Sequence, residues 1–297
     1  MDASDLNQAL KETESLEAWV ASVRQFFESY ELFYGHGTEN PLDEAHWLVE
    51  AVNRYNPERP NISIASKRDA VFNIAVKRVG ERRPLAYLLN EAWFAGLSFY
   101  VDERVLIPRS PLAELIERQF APWTCLEPGH RVLEIGTGSG CIAVAIAHHC
   151  PGVLVDATDI SNQALDVAAI NAKGWEEQVK IIESDLFSAI NGQYQIIVSN
   201  PPYVAHDRLV ELPMEYQHEP SLALEGGTDG LNIVNRLLPL AAEYLTPDGL
   251  LFLEVGETQQ VFDSSHIRLP ATWLEFDRGG EGVAVLTREE LTGYLAD

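Results

Sequence analysis

Positive charge is scarce in this chain. Its 297 residues hold 21 Lys and Arg against 45 Asp and Glu, a net charge of −24. The deficit is uneven. Residues 1–90 carry 10 basic and 14 acidic side chains, net −4, so residues 91–297 carry −20. A duplex nucleic-acid binder neutralises phosphates with a basic stripe, which this composition disfavours. "KRVGERR" (77–83) is the one basic cluster, too small for a duplex footprint. A surface this acidic favours a basic partner. Long apolar runs are also missing. None approaches the roughly 18 residues of a membrane span, and the acidic start "MDASDLNQALKETESLE" is no signal peptide. Cysteine is sparse. Cys125, Cys141 and Cys150 lack metal-ligand spacing and read as free thiols of a reducing compartment, so a cytoplasmic chain without a metal is expected.

What is present is globular, with 46% hydrophobic and 22% charged residues. Residues 1–90 read as a small helical domain. "LEAWVASVRQFFESYELFY" places Leu16, Trp19, Val20, Val23, Phe26 and Phe27 at helical spacing. "PLDEAHWLVEAV" and "SKRDAVFNIAVKRV" repeat the pattern, with Ser66 as the expected N-cap of the latter and Asp69 in its first turn. Gly35, Gly37, Pro41, Pro57 and Pro60 punctuate. Residues 91–120 read as a hairpin centred on Gly96 and a connector leading into a helix near Pro111.

The rhythm then changes. From 121 to 297, short apolar strands alternate with helices: "RVLEI", "VLVDATD", "VKIIESD", "YQIIVSN" and "GLLFLEV" (249–255) are strands, and Ser161 caps one helix. "TWLEFDRGGEGVAVLTR" reads as a terminal hairpin supplying one antiparallel edge strand. The expected fold is α/β: a doubly wound, mostly parallel, seven-stranded sheet with a small N-terminal helical domain. By analogy, this is the sheet of methyltransferases that use S-adenosyl-L-methionine.

"LEIGTGSGC" (133–141) is a strand, a glycine turn and a helix start. Gly136, Gly138 and Gly140 permit positive φ and close backbone approach. The spacing departs from the dinucleotide fingerprint, because the third glycine comes one residue early. Glu134 beside the loop suits a cationic ligand, whose carboxylate would take the helix-end N–H groups. Asp159 ends the second strand, where a carboxylate accepts from a ribose diol. Asp185 ends the third, placed for an adenine amino group.

"SNPPYV" (199–204) ends the fourth strand. Pro201 and Pro202 lock φ and carry no N–H. Two outward acceptors remain, the Asn200 side-chain oxygen and the Pro201 carbonyl, beside the flat ring of Tyr203. Such a set can hold a planar –NH2 by both hydrogens.

"VLEIGTGSG", "DATDIS", "ESDLF" and "SNPPYV" together resemble the HemK-like N5-glutamine methyltransferases. "AWFAGLSFYVDERVLIPRSP" discriminates within that family. The release-factor branch continues "VLIPR" with Pro-Asp-Thr-Glu, whereas this chain has Ser110, Pro111, Leu112 and Ala113, like the branch that methylates ribosomal protein L-three of the large subunit. The resemblance runs from about residue 80 to the C-terminus and includes "EPSLALEGGTDGL" (219–231); residues 1–90 share the layout only. It implies Asn200, Pro201, Pro202 and Tyr203 as the substrate clamp. It implies Glu134, Gly136, Thr137, Gly138, Gly140, Asp159, Asp185, Leu186 and Asn200 as the S-adenosyl-L-methionine site, and a role for residues 1–90 in substrate recognition. The alternatives are the release-factor enzyme, an adenine-N6 methyltransferase, which shares the clamp but should be basic, and a non-catalytic assembly factor.

Overall fold

The computed structural model describes residues 1–54 and 62–296. Pro57 and Pro60 lie outside the described residues. The chain divides into two compact units: residues 1–92 with 213–218, and residues 93–212 with 219–297.

The first unit is helical: α1 (Ala3–Lys11), α2 (Leu16–Glu28), α3 (Pro41–Asn53), α4 (Ile64–Glu81) and α5 (Leu85–Leu89). Caps explain the starts. Asp2 and Asp5 form a capping box on α1, Ser15 caps α2, and Asn40 precedes Pro41 at the first position of α3. The cap of α4 is Ser63, not Ser66. The Ser63 hydroxyl accepts from the Ser66 N–H at 3.1 Å, which gains the helix one more turn and satisfies a terminal amide. Leu6, Leu10, Val23, Phe27 and Leu48 are fully buried in its core, each worth about 1.5–3 kcal/mol.

The segment 213–218 brings a carboxylate into this unit. Glu215 is wholly buried and accepts from Arg78, Arg82 and the Phe33 N–H at 2.8–3.1 Å. Burial pushes its pKa up, but these donors outweigh that and hold it below the usual carboxylate range. Arg78 also donates to Glu44, which burial pushes up to about 7 against the pull of Arg78.

The second unit opens on the hairpin β1 (Ala92–Phe94) and β2 (Leu97–Phe99). Its two turn residues, Ala95 and Gly96, both have positive φ, as a tight two-residue turn demands. The short α6 (Leu112–Glu117) follows. Then come β3 (Arg131–Ile135), α7 (Cys141–His149), β4 (Leu154–Asp159), α8 (Asn162–Asn171), β5 (Val179–Glu183), β6 (Tyr194–Ser199), α9 (Asn232–Tyr244), β7 (Leu245–Glu254), α10 (Gln259–Ser265), β8 (Thr272–Trp273), β9 (Val283–Thr287) and α11 (Arg288–Ala296).

The seven-stranded sheet has the order β5–β4–β3–β6–β7–β9–β8. Both faces are covered. Val132, Ile196 and Val198 pack in one apolar cluster; Leu133, Ile135 and Ile197 pack in the other. Alternation along buried strands produces this division. Two expectations change. The antiparallel strand β9 is not the edge: it pairs with β7, and the two-residue β8 lies outside it. β7 also begins at Leu245, before the turn-like Thr246–Gly249, because a bulge opposite Tyr194–Ile196 absorbs those residues.

Strand order reverses between β3 and β6. Ile135 lies opposite Ser199, so the residues following both strands open at one switch point, where open α/β sheets bind ligands.

Candidate active site

The glycine loop leaves β3 at this switch point. Gly136, Gly138 and Gly140 have φ of 77°, 54° and 78°. The N–H groups of Gly136 and Thr137 donate to the Thr158 carbonyl at 2.8 Å, tying the loop to β4. A Cβ on Gly140 would stand 3.2 Å from both Cα and Cβ of Ala168, so this glycine lets α7 approach α8.

Glu134, one residue before the end of β3, is 1% exposed. Its Oε2 accepts from the Thr137 hydroxyl at 2.6 Å, and among the described residues its Oε1 has no hydrogen-bond partner. Burial pushes its pKa up to about 8, against the hydrogen bond from Thr137 and the lowering pull of the Ala143 N–H. The Cys141 thiol is pushed up to about 12 by burial and by Glu134. A buried carboxylate with an orphaned oxygen fits a ligand that brings a cation or an N–H donor. The Thr137 side chain is itself buried and committed to Glu134.

Asp159 does more than end a strand. Its Oδ2 accepts from the Gly138 N–H and its Oδ1 from the Ser161 N–H, each at 2.9 Å. The carboxylate fastens the glycine loop while each oxygen keeps a further lone pair. Burial raises its pKa, opposed by these backbone donors.

Asp185 is placed differently. It is exposed, and both its oxygens accept from Arg236 of α9, at 2.8 and 2.7 Å. An adenine amino group there would share the carboxylate with a guanidinium. Leu186 beside it is buried with φ of 50°, an uncommon conformation for a side chain of its size.

Asn200 follows β6 directly. A Cβ on Gly136 would stand 4.0 Å from the Asn200 carbonyl, so loop and clamp are neighbours. No described residue hydrogen-bonds to the Asn200 side chain or to the Pro201 carbonyl. Pro201 is buried and Pro202 half-buried. The Tyr203 backbone is enclosed by glycines. A Cβ on Gly226 would lie 2.7 Å from Tyr203 Cα, and one on Gly230 would lie 2.3 Å from its carbonyl oxygen. Both glycines belong to "EPSLALEGGTDGL", where Val204 and Glu225 form a parallel bridge. A Cβ on Gly256, at φ 49°, would lie 2.6 Å from Cε2 of the Tyr203 ring.

Glu254, Ser110, Arg109 and Glu219 join this region although none is among the site residues expected from the sequence. Glu254 ends β7, 4% exposed, and accepts from Tyr203 Oη at 3.3 Å and Ser110 Oγ at 2.5 Å. Arg109 forks onto Glu219 at 2.7 and 2.8 Å, and Glu219 also takes the Ile107 N–H. The signal for Glu254 is an acid closing the apolar run "LLFLEV". That strand lies inside the sheet, so its terminal acid must find donors.

Among the described residues no group of His, Cys, Asp and Glu could hold a metal ion, and no helix is long and apolar enough to cross a membrane.

Residues 120–214, which span the glycine loop and the clamp, match the family model "Methyltransferase small domain". A crystal structure of a methyltransferase from Pyrococcus furiosus aligns at TM-score 0.47 and 19% identity, covering 65% of this chain and 89% of that one. Ribosomal protein uL3 glutamine methyltransferases from Neisseria meningitidis serogroup A and Neisseria gonorrhoeae are each 40% identical over 295 residues. They cover 97% of this chain and 97% and 99% of their own lengths. With that identity over nearly its whole length, the chain belongs to the family of ribosomal protein uL3 glutamine methyltransferases.

Proposed function

We propose that this chain transfers a methyl group from S-adenosyl-L-methionine to the side-chain amide nitrogen of a glutamine in ribosomal protein uL3. The observation that carries the reading is the register of β3 and β6, which sets the glycine loop beside Asn200. Gly136, Gly138, Gly140, Glu134 and Asp159 would hold the methyl donor. Thr137 positions Glu134, and Leu186 with Asp185 borders the site. When bound, the donor supplies an electrophilic methyl group on a sulfonium.

The clamp answers the difficulty of the acceptor. An amide nitrogen shares its lone pair with the carbonyl, and the rotational barrier of about 18–20 kcal/mol measures that resonance. The Asn200 oxygen and the Pro201 carbonyl accept the two amide hydrogens, raise electron density at nitrogen and tolerate its pyramidal form. The nitrogen lone pair forms the new N–C bond, and the C–S pair stays with sulfur. The excess proton leaves nitrogen through a clamp acceptor to water. Holding the nitrogen in line removes much of the entropic barrier. Tyr203 bounds the amide plane, and the prolines keep the acceptors rigid.

The helical unit carries none of these groups, and this reading gives it recognition of the folded substrate. The −20 of residues 91–297 suits a basic ribosomal protein and disfavours an adenine-N6 enzyme. A substrate destined for ribosomes puts the reaction in the cytoplasm. The test is purified chain with purified uL3 and labelled methyl donor, read by mass spectrometry of uL3 peptides. A single +14 Da glutamine is expected. Label on a release factor instead would move the chain to the sister branch.

A further inference from the structure

Glu254 has a geometry that a merely buried strand-end acid does not need. Its two oxygens receive two different hydroxyls, Tyr203 Oη on Oε1 and Ser110 Oγ on Oε2. Ser110 is itself 8% exposed and accepts the Leu112 N–H at 3.1 Å, so its hydroxyl is held at the start of α6. The Tyr203 ring lies against the backbone of Gly256, two residues beyond Glu254. Gly256 is in turn fixed against Gly282, where a Cβ would meet the Gly256 oxygen at 2.2 Å. One end of the ring is therefore walled by backbone and its hydroxyl is aimed by the carboxylate. No other described residue hydrogen-bonds to the Glu254 carboxylate.

We infer that Glu254 is a positioning residue of the clamp: it orients the Tyr203 ring through its hydroxyl and couples that orientation to Ser110 in the connector. This rests on the glutamine-methylation reading and names a residue that sets its geometry. The Ser110 hydroxyl, held by the Leu112 N–H, gives the carboxylate its second donor from the connector. In its ionised form the carboxylate accepts from both hydroxyls. Burial pushes its pKa up to about 7, opposed by the two hydroxyls and by the charge of Arg109.

The experiment compares wild type with Glu254→Ala, Glu254→Gln, Tyr203→Phe and the Glu254→Ala/Tyr203→Phe double variant. Turnover on uL3 is measured with calorimetric affinity for S-adenosyl-L-methionine. A reacting nitrogen misplaced by an ångström loses on the order of 10² in rate. Glu254→Ala should lose that much in kcat, with cofactor affinity unchanged. Glu254→Gln should recover most of it, because its carbonyl can accept from Tyr203 while its –NH2 donates to Ser110. The double variant should be no slower than Glu254→Ala alone, because Tyr203→Phe removes only the Tyr203–Glu254 bond that Glu254→Ala has already broken. Near-normal kcat in Glu254→Ala, multiplicative losses in the double variant, or lost cofactor binding in both Glu254 variants would each overturn the inference. A crystal structure of Glu254→Ala supplies an arm independent of turnover: the ring should leave Gly256, and an unmoved ring overturns the proposal. A wild type inactive on uL3 but with the ring displaced in the variant would instead sink the substrate reading alone.

Discussion

At the scale of single residues, the chemistry concentrates on two side chains with opposite surroundings. Asn200 is half-buried, with no described partner on its amide. In the proposed reaction its oxygen would accept from hydrogens that become more positive as the methyl bond forms, a contact that would strengthen in the transition state. Asn200→Ala should therefore lower kcat by on the order of 10²–10³ with little change in cofactor affinity. Steady-state kinetics on uL3 with calorimetry decides this, and a normal kcat would leave "SNPPYV" as a structural turn. Glu134 is fully buried instead, with its pKa pushed up to about 8 by burial. The folded protein without ligand holds its proton more tightly than the unfolded chain does. The stability from that proton is present below the unfolded pKa, near 4.5, and is lost as pH rises through about 8. Glu134→Gln keeps an acceptor for Thr137 and cannot ionise. Between pH 5 and 8 its melting temperature should fall less than that of wild type. Equal slopes in paired melting curves would remove Glu134 as the source.

At the scale of elements, strand ends carry the candidate site residues and glycines let neighbouring segments close on them. Gly256 is the sharpest case, since it joins positive φ with contact on the Tyr203 ring. Gly256→Ala should lose about 1–3 kcal/mol of stability from the left-handed backbone. It should also displace the ring and reduce kcat more than cofactor affinity. Melting and kinetics on one preparation separate the effects, and full turnover would show that the ring position is not critical. The elements were largely legible. β3 and β6 follow the apolar runs "RVLEI" and "YQIIVS", and Ser161 caps α8 as its position suggests. The start of β7 and the place of β9 were not legible, because a bulge and an inserted antiparallel strand depend on partners rather than on local pattern.

At the scale of the whole molecule, charge and partition dominate. A −24 chain meeting a basic substrate is steered by its field. Stopped-flow association with uL3 should slow as ionic strength rises, because the Debye length shortens from about 10 Å at 0.1 M salt to about 3 Å at 1 M. A flat response would assign the acidity to solubility. The partition is less simple than a cut near residue 90. Residues 213–218 belong with the helical unit, through Glu215 and its arginines, although they follow the clamp in the chain.

The sequence by itself determined the α/β class, the glycine loop, the acidic charge and the proline-rich stretch after Asn200. Each rests on local chemistry: strand alternation, glycines at Gly136, Gly138 and Gly140 that permit positive φ, and two prolines that strip donors from the stretch after Asn200. Tertiary structure decided what those groups touch. Asp159 proved to be tied to Gly138, Asp185 to Arg236, and Tyr203 to Glu254 and thence to Ser110, across separations of 21 to 144 residues. Burial made the difference. A carboxylate at a strand end has no assigned partner until the sheet removes water from it, and only then must specific donors from distant segments satisfy it.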